Sequence, residues 1–286
     1  MTRIGVQAMM LKREFETDGA FATLQRLSDL GFHAVEISQI PMSEANVGEV
    51  DRARDTLGME VAALSAVLET PVGAPGESLT NDFDKVVADC RQLGCRMVRM
   101  GMMPFSAMAS QQALLDFCSR SNEMAARLAE AGIGLYYHNH HVEFARYDGK
   151  YILDIIRERA PLMRFELDVH WIHRGGQDPV SVLRDYAGLV DLVHLKDYRI
   201  GQLPADAFES LQSGDYQAFM GAFLGVVQFA EVGEGNLDFK AIIEQSLSSG
   251  AKYLLIEQDD QYGRDPFDCL ATSRHNLIRL GYGHLF

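Results

Sequence analysis

Three histidines fall within four positions at His138-Asn139-His140-His141, directly after Gly134-Leu135-Tyr136-Tyr137, a run suited to a β-strand. Histidine binds metals and moves protons near neutral pH, and it is also an ordinary polar residue. Side chains alternate along an extended strand, so His138 and His140 would share one side while Asn139 and His141 take the other. Read alone, the stretch is a metal site, a substrate clamp or a solvated strand end. What it faces must decide.

Three more apolar runs end in comparable residues: Glu166-Leu167-Asp168-Val169-His170, His194-Leu195-Lys196-Asp197 and Ile256-Glu257-Gln258-Asp259. An acidic residue at a strand end often caps the next helix, and a lone histidine is usually packed or solvated. Four successive strand ends offering His138, Asp168, His194 and Glu257 are a different matter, because nitrogen and oxygen donors in that mixture suit a divalent metal. The same alternation puts Glu166, Asp168 and His170 on one side of their strand, with Glu166 a layer deeper and suited to pair with an arginine such as Arg99. His194 and Lys196 share the inward side, which lets Lys196 reach a substrate, while Asp197 turns outward to cap a loop. Trp171, the only tryptophan, lies just past its strand. There it shields the pocket, offers a stacking face for a sugar, or packs in the core.

The elements that must position these residues read as eight strands, at 3–9, 34–38, 61–66, 96–101, 134–140, 165–171, 192–197 and 253–259. Amphipathic stretches lie between them, at 21–32, 81–94, 114–132 and 239–250 among others, and several close on a glycine, the usual helix stop signal. Strand starts recur at the spacing of a βα unit until the seventh. An insertion at about 198–235 follows it and contains another helix-like piece and Glu231-Val232-Gly233-Glu234-Gly235-Asn236. Eight such units in 286 residues predict an α/β fold, a (β/α)8 TIM barrel in one domain, with the site at the C-terminal ends of the strands. A doubly wound sheet is the alternative, but no GxGxxG follows the first strand.

The formal charge is −14, from 26 Lys and Arg against 40 Asp and Glu. That balance argues against nucleic acid as a partner, which demands a basic face. Cys90, Cys95, Cys118 and Cys269 show no CxxC spacing and read as reduced core thiols. No leader-like or membrane-spanning run is present, so the expectation is a cytoplasmic chain without a membrane partner. A homo-oligomer stays open.

With these residues in view the chain resembles the xylose isomerase-like TIM barrels, and within them the proteins called sugar phosphate isomerases/epimerases. The resemblance rests on Ile4-Gly5-Val6-Gln7, Ala34-Val35-Glu36-Ile37-Ser38, the 138–144, 167–171, 193–197, 232–235 and 256–259 blocks, and the closing 265–280 helix. The family includes ketose 3-epimerases, hydroxypyruvate isomerase, inosose dehydratase, dehydroshikimate dehydratase, endonuclease IV and enzymes of 3-keto-glycosides. The resemblance implies one divalent metal, manganese first with cobalt, magnesium or zinc as alternatives, held by Asp168, His194, Glu257 and a residue of strand five. Members often carry Glu-Asn-His at strand five. Here His138 stands at the glutamate's place.

In such a site Glu257 or His140 would remove the proton beside a carbonyl, and Glu143 could fold back as a replacement carboxylate. His170, Lys196 and Trp171 would contact a small carbohydrate. The expected activity is a metal-dependent isomerase or epimerase on a keto-sugar or polyol. Loss of one carboxylate also suits a lyase or dehydratase acting on a keto-inositol or 3-keto-glycoside. A nuclease and a non-catalytic sugar-binding barrel complete the alternatives.

Overall fold

The computed structural model of the chain describes residues 2–70 and 77–286. Eight parallel strands close a barrel: β1 (Arg3–Gln7), β2 (Ala34–Ile37), β3 (Glu60–Ser65), β4 (Met97–Met100), β5 (Gly134–His138), β6 (Arg164–Asp168), β7 (Val190–Leu195) and β8 (Tyr253–Ile256). Each pairs with its neighbour in sequence, and β8 closes onto β1 with Val6 opposite Ile256. Closure into a ring excludes the doubly wound alternative.

Strands such as Val190–Leu195 are buried at every position because helices cover the outside and side chains fill the inside. Outward residues join the helices in one apolar layer that includes Leu24, Val98, Leu128, Leu167 and Leu254. The helices start on side-chain caps: Ser43 accepts from the Asn46 amide, Ser110 from Ala113, and Asp238 from Ala241. The four cysteines are buried and form no disulfide. Among the described residues no helix is long and apolar enough to cross a membrane.

The interior is layered. At the bottom Met97, Tyr136, Leu192 and Leu255 form a small apolar plug. Two residues further along the same strands come Arg99, His138, His194 and Glu257, so the inside turns polar toward the strands' C-terminal ends. This change of character places the site.

The insertion after β7 begins as a ribbon, Asp197–Ile200 paired antiparallel with Val227–Ala230, and carries helices at Ala205–Gln212 and Tyr216–Leu224. Asp197 anchors its return. Its carboxylate accepts from the amides of Tyr198, Gly233, Gly235 and Leu237 at 2.8–3.3 Å. A Cβ on Gly235 would lie 2.3 Å from Asp197 Oδ1, so only glycine lets the loop close around the carboxylate. Asp197→Ala should therefore strand several buried amides and cost about 2–4 kcal/mol. Urea denaturation measures it, and an unchanged midpoint counts against this anchoring.

Candidate metal centre

His138, the last residue of β5, and His194, on β7, approach each other across the upper barrel with His138 Nε2 3.1 Å from His194 Nδ1. Their other ring nitrogens fix the tautomers. His138 Nδ1 lies 3.1 Å from the carbonyl of Gly101 and must donate to it. Gly101 is needed there because a Cβ would sit 2.5 Å from the Arg99 guanidinium. His194 Nε2 lies 3.1 Å from Glu166 and 3.3 Å from Glu36, two acceptors that demand its proton. The facing nitrogens, His138 Nε2 and His194 Nδ1, are then the pair left to share one proton or to meet a cation.

Two carboxylates complete the group. Asp168 ends β6, and its Oδ1 accepts from the Trp171 amide and so caps the short helix Val169–Arg174. Its Oδ2 is buried without a hydrogen-bond donor, 3.6 Å from His138 Nε2 and 3.8 Å from His194 Nδ1. Glu257 follows β8. Gln7 donates to one of its oxygens at 2.9 Å, and the other lies 2.9 Å from His194 Nδ1 and 3.0 Å from Lys196 Nζ. The four residues offer donor atoms all within 4.8 Å of one another, each residue buried. Donors about 2.0–2.2 Å from a common ion sit roughly 2.9–4.4 Å apart, so the set fits one divalent cation.

The electrostatics agree. Burial pushes His138 down to about 4, assisted by Arg99, which keeps it neutral as a ligand must be. Burial would lower His194 as well, but Glu166, Glu257 and Glu36 outweigh it and hold a proton on the ring well above the ordinary histidine range. In a chain without metal that proton is the one the two facing nitrogens share. Burial opposes ionisation of Asp168 and Glu257, yet Lys196 and the histidines keep both well below the usual carboxylate range.

Beneath the centre Arg99 Nε bridges Glu36 at 2.9 Å and Glu166 at 2.8 Å. Burial, then Glu36 beside it, raises Glu166 to about 8. Burial would also raise Glu36, but Arg99 and His194 hold it low. The cluster thus clamps the back of His194, the partnership that orients metal-bound histidines elsewhere. Glu166 paired with Arg99 accords with the expectation from sequence. Glu36 was not singled out, although a carboxylate in the apolar run Ala34–Ile37 was its signal. Asp259 was also missed, and it accepts from Lys196 at 2.7 Å.

The remaining expected residues fall around the mouth, but not as strand alternation placed them. β5 stops at His138 and β6 at Asp168, so His140 sits in a loop while His170 and Trp171 lie on the helix Val169–Arg174. His140 still reaches the centre, 4.9 Å from His138 between ring centroids, and its Nδ1 is buried without a partner. Burial, then His138, lowers it to about 3, so the ring is neutral. His170 is buried with both nitrogens unpartnered, and burial lowers it to about 4. Trp171 packs 5.3 Å from His140 and 4.8 Å from His170, with Lys196 Nζ 4.9 Å over its ring. Phe229 and Tyr198 of the inserted ribbon lie 5.1 and 5.4 Å from His170, and no spacing in the sequence announced them.

Glu143 does not fold back over the site. It is buried, with Tyr137 Oη and the His140 amide each donating to it at 2.7 Å, so it shapes the loop that carries His140. Asn139 ties that loop to β6 by accepting from the Asp168 amide at 3.0 Å. His141 is exposed at the start of a 3-10 turn, its ring 5.2 Å from Trp171.

Barrel, strand-end donors and clamped histidines define a class of TIM-barrel protein with a metal-ready mouth. Residues 24–273 match the family model described as xylose isomerase-like TIM barrel, and the chain belongs to that family. The rhizopine catabolism protein MocC of Rhizobium meliloti is 30% identical over 162 residues, 55% of this chain and 47% of that protein, so the match spans about half that relative's length. Among solved structures, a sugar phosphate isomerase/epimerase of Parabacteroides distasonis superposes with TM-score 0.74 at 20% identity over 98% of both chains. L-ribulose 3-epimerase gives 0.70 at 17% identity, covering 100% of this chain and 96% of the other. A probable 3-DHS dehydratase of Bacillus anthracis gives 0.67 at 14%, covering 98% and 99%. At these identities the structures establish the fold.

The three neighbouring histidines should separate cleanly. His138→Ala should weaken manganese binding by roughly 10- to 100-fold or more. His140→Ala and His141→Ala should bind it normally. Titration calorimetry decides, and normal binding by His138→Ala sinks the ligand assignment. Glu36→Gln, which touches no ligand atom, should also cost roughly 10- to 100-fold by loosening His194. An unchanged affinity would mean the clamp has no bearing on the metal.

Proposed function

We propose that this chain is a divalent-metal-dependent enzyme that moves a proton beside the carbonyl of a keto-sugar or polyol, as an isomerase or epimerase. The observation that carries the reading is the convergence of donor atoms from buried His138, Asp168, His194 and Glu257 within 4.8 Å of one another. His138, Asp168, His194 and Glu257 would hold the cation. When bound, it supplies the charge that seats two neighbouring substrate oxygens and acidifies the hydrogen beside them.

The chain's own residues do the rest. His140, neutral and with a free buried nitrogen, accepts the proton from the carbon beside the carbonyl and returns it to the neighbouring carbon. Lys196 stays cationic: burial would discharge it, but Glu257, Asp168 and Asp259 hold its proton above the ordinary lysine range. It therefore faces negative charge developing on a substrate oxygen. His170 offers hydrogen bonds to hydroxyls, and Trp171 offers its ring to the apolar face of a sugar. The fold likeness to epimerases, together with a relative in rhizopine catabolism, supports a small carbohydrate as substrate; the formal charge of −14 argues against nucleic acid, and manganese is the first metal to test.

One observation favours elimination as a second reading. Both Glu257 oxygens are engaged, by Gln7, His194 and Lys196, and of the two histidines with free buried nitrogens, His140 and His170, we assign the base to His140, whose ring lies 4.9 Å from that of His138. A single base suits loss of a β-hydroxyl or β-glycosyloxy group from a keto-inositol or 3-keto-glycoside.

Incubation of the manganese-loaded protein with keto-sugars, keto-inositols and 3-keto-glycosides in heavy water tests both readings. Deuterium in a rearranged product of unchanged composition identifies the isomerase or epimerase, and an unsaturated product identifies the lyase. No exchange and no product with any of the three classes would overturn the proposal. On the substrate so found, His140→Ala should lose roughly 10²- to 10⁴-fold in rate. Asp168→Asn and Glu257→Gln should lose most turnover while keeping the parent's circular dichroism spectrum, because each preserves the side chain's shape. Turnover above half in either counts against its assignment.

A further inference from the structure

We infer that two copies of this chain pair through the insertion after β7, and that pairing holds the roof of the mouth in place. The insertion carries a large apolar face that the described residues leave uncovered. The helix Tyr216–Leu224 has no buried residue, with Leu224 69% and Tyr216 62% exposed. Phe208, Leu211, Phe223, Ile200 and Val227 are exposed beside them. The face is continuous. Phe219 lies 6.3–6.5 Å from the rings of Phe208, Tyr216 and Phe223, and Ile200 pairs directly with Val227 at the ribbon's end.

Its size and its charge identify the occupant. At about 150–250 Å² for a large apolar residue, these exposures leave roughly 550–900 Å² open. The largest apolar patch on an ordinary monomer is about 300–600 Å². A stable dimer buries about 800 Å² per partner. Tyr216 to Ala230 contains no charged residue. A chain of net charge −14 repels its copy wherever acidic faces meet, whereas here a twofold contact would set uncharged residues against themselves. A lipid surface fits less well. A helix that lies on membranes is usually rich in Lys and Arg, and between Asp197 and Ala230 the one cation is Arg199, against Asp197, Asp206, Glu209 and Asp215.

The same ribbon reaches the mouth. Phe229 lies 6.2 Å from Trp171 and 5.4 Å from Lys196 Nζ, and Tyr262 Oη accepts from its amide at 3.0 Å. Pairing at the far side of the insertion therefore fixes the residues that cover Trp171 and Lys196. Trp171 is the only tryptophan, so its emission reports on this roof whatever the substrate is.

Sedimentation velocity of the full chain at tens of micromolar should give twice its 31.9 kDa mass. Phe223→Asp with Leu224→Asp, and separately Tyr216→Asp, should give monomers that melt like the parent. Dilution of the parent through its dissociation range should shift the Trp171 emission to that of these monomers. A monomeric parent overturns the inference, as do variants that still dimerise. Capture of a monomeric parent by neutral phosphatidylcholine vesicles would assign the face to lipid instead. A dimer whose emission is unchanged on dilution refutes the link to the mouth.

Discussion

Two imidazoles held back to back, each with its N–H spent on a fixed acceptor, set the terms for the whole upper barrel. A buried lone pair facing another at 3.1 Å is repulsive unless a cation or a proton intervenes. The structure around them prevents the easy escape of turning a ring. His138 is tied to Gly101, and His194 to Glu36 and Glu166, which Arg99 holds in turn. Glu166 lies one layer below His194, because Asp168 stands opposite His194 and Glu166 opposite Leu192, so the strand period that builds the barrel also builds this part of the clamp. An apolar plug of Met97, Tyr136, Leu192 and Leu255 seals the bottom. The candidate metal centre is thus a property of the whole upper barrel, and it cannot be assigned to four residues alone.

The donor set was legible in the sequence because residue type and a period of two carry it. A strand that ends in a histidine or carboxylate announces an inward donor, and the same signal repeated on four neighbouring strands marks the mouth. The eight strands were legible for the same reason. What failed was the continuation of that period past the strand ends. His140, His170 and Trp171 were placed by alternation, yet the chain leaves the barrel at His138 and at Asp168, where the carboxylate turns back to cap a helix. The residues that leave the ladder are those free to surround a substrate, so the rule breaks at the functional edge. Glu143 was misplaced for a related reason. A three-residue 3-10 turn points it inward to Tyr137, and no period covers so short an element. Phe229 and Tyr198 reach the site through a ribbon whose two strands are separated by two helices. Only its tertiary pairing reveals them.

The cover over the mouth has a physical consequence for the proposed chemistry. His140 and His170 keep unpartnered nitrogens in a place water does not fill freely, and burial is the largest cause of their lowered proton affinity. Both rings are therefore neutral before a ligand arrives, and a sugar's hydroxyls would satisfy groups that are otherwise left wanting. Trp171 and Phe229 add apolar walls beside Lys196. An apolar wall with a few aimed polar atoms is the composition expected of a small-molecule pocket.

The histidine in place of a strand-five glutamate then gains a meaning beyond ligand exchange. In the proposed centre Asp168 and Glu257 would balance a divalent charge between them, and His138 would add none. A third carboxylate would leave the set one unit negative, whereas here Lys196 remains as surplus positive charge beside Glu257, shared at the rim with Asp259. A centre of that balance stabilises negative charge developing on a substrate oxygen more strongly than one with two opposed carboxylates. It also gives up the second carboxylate that could return a proton from the opposite face. In the proposed chemistry, stronger activation of the first step and a more restricted choice in the second would both follow from a histidine at this position.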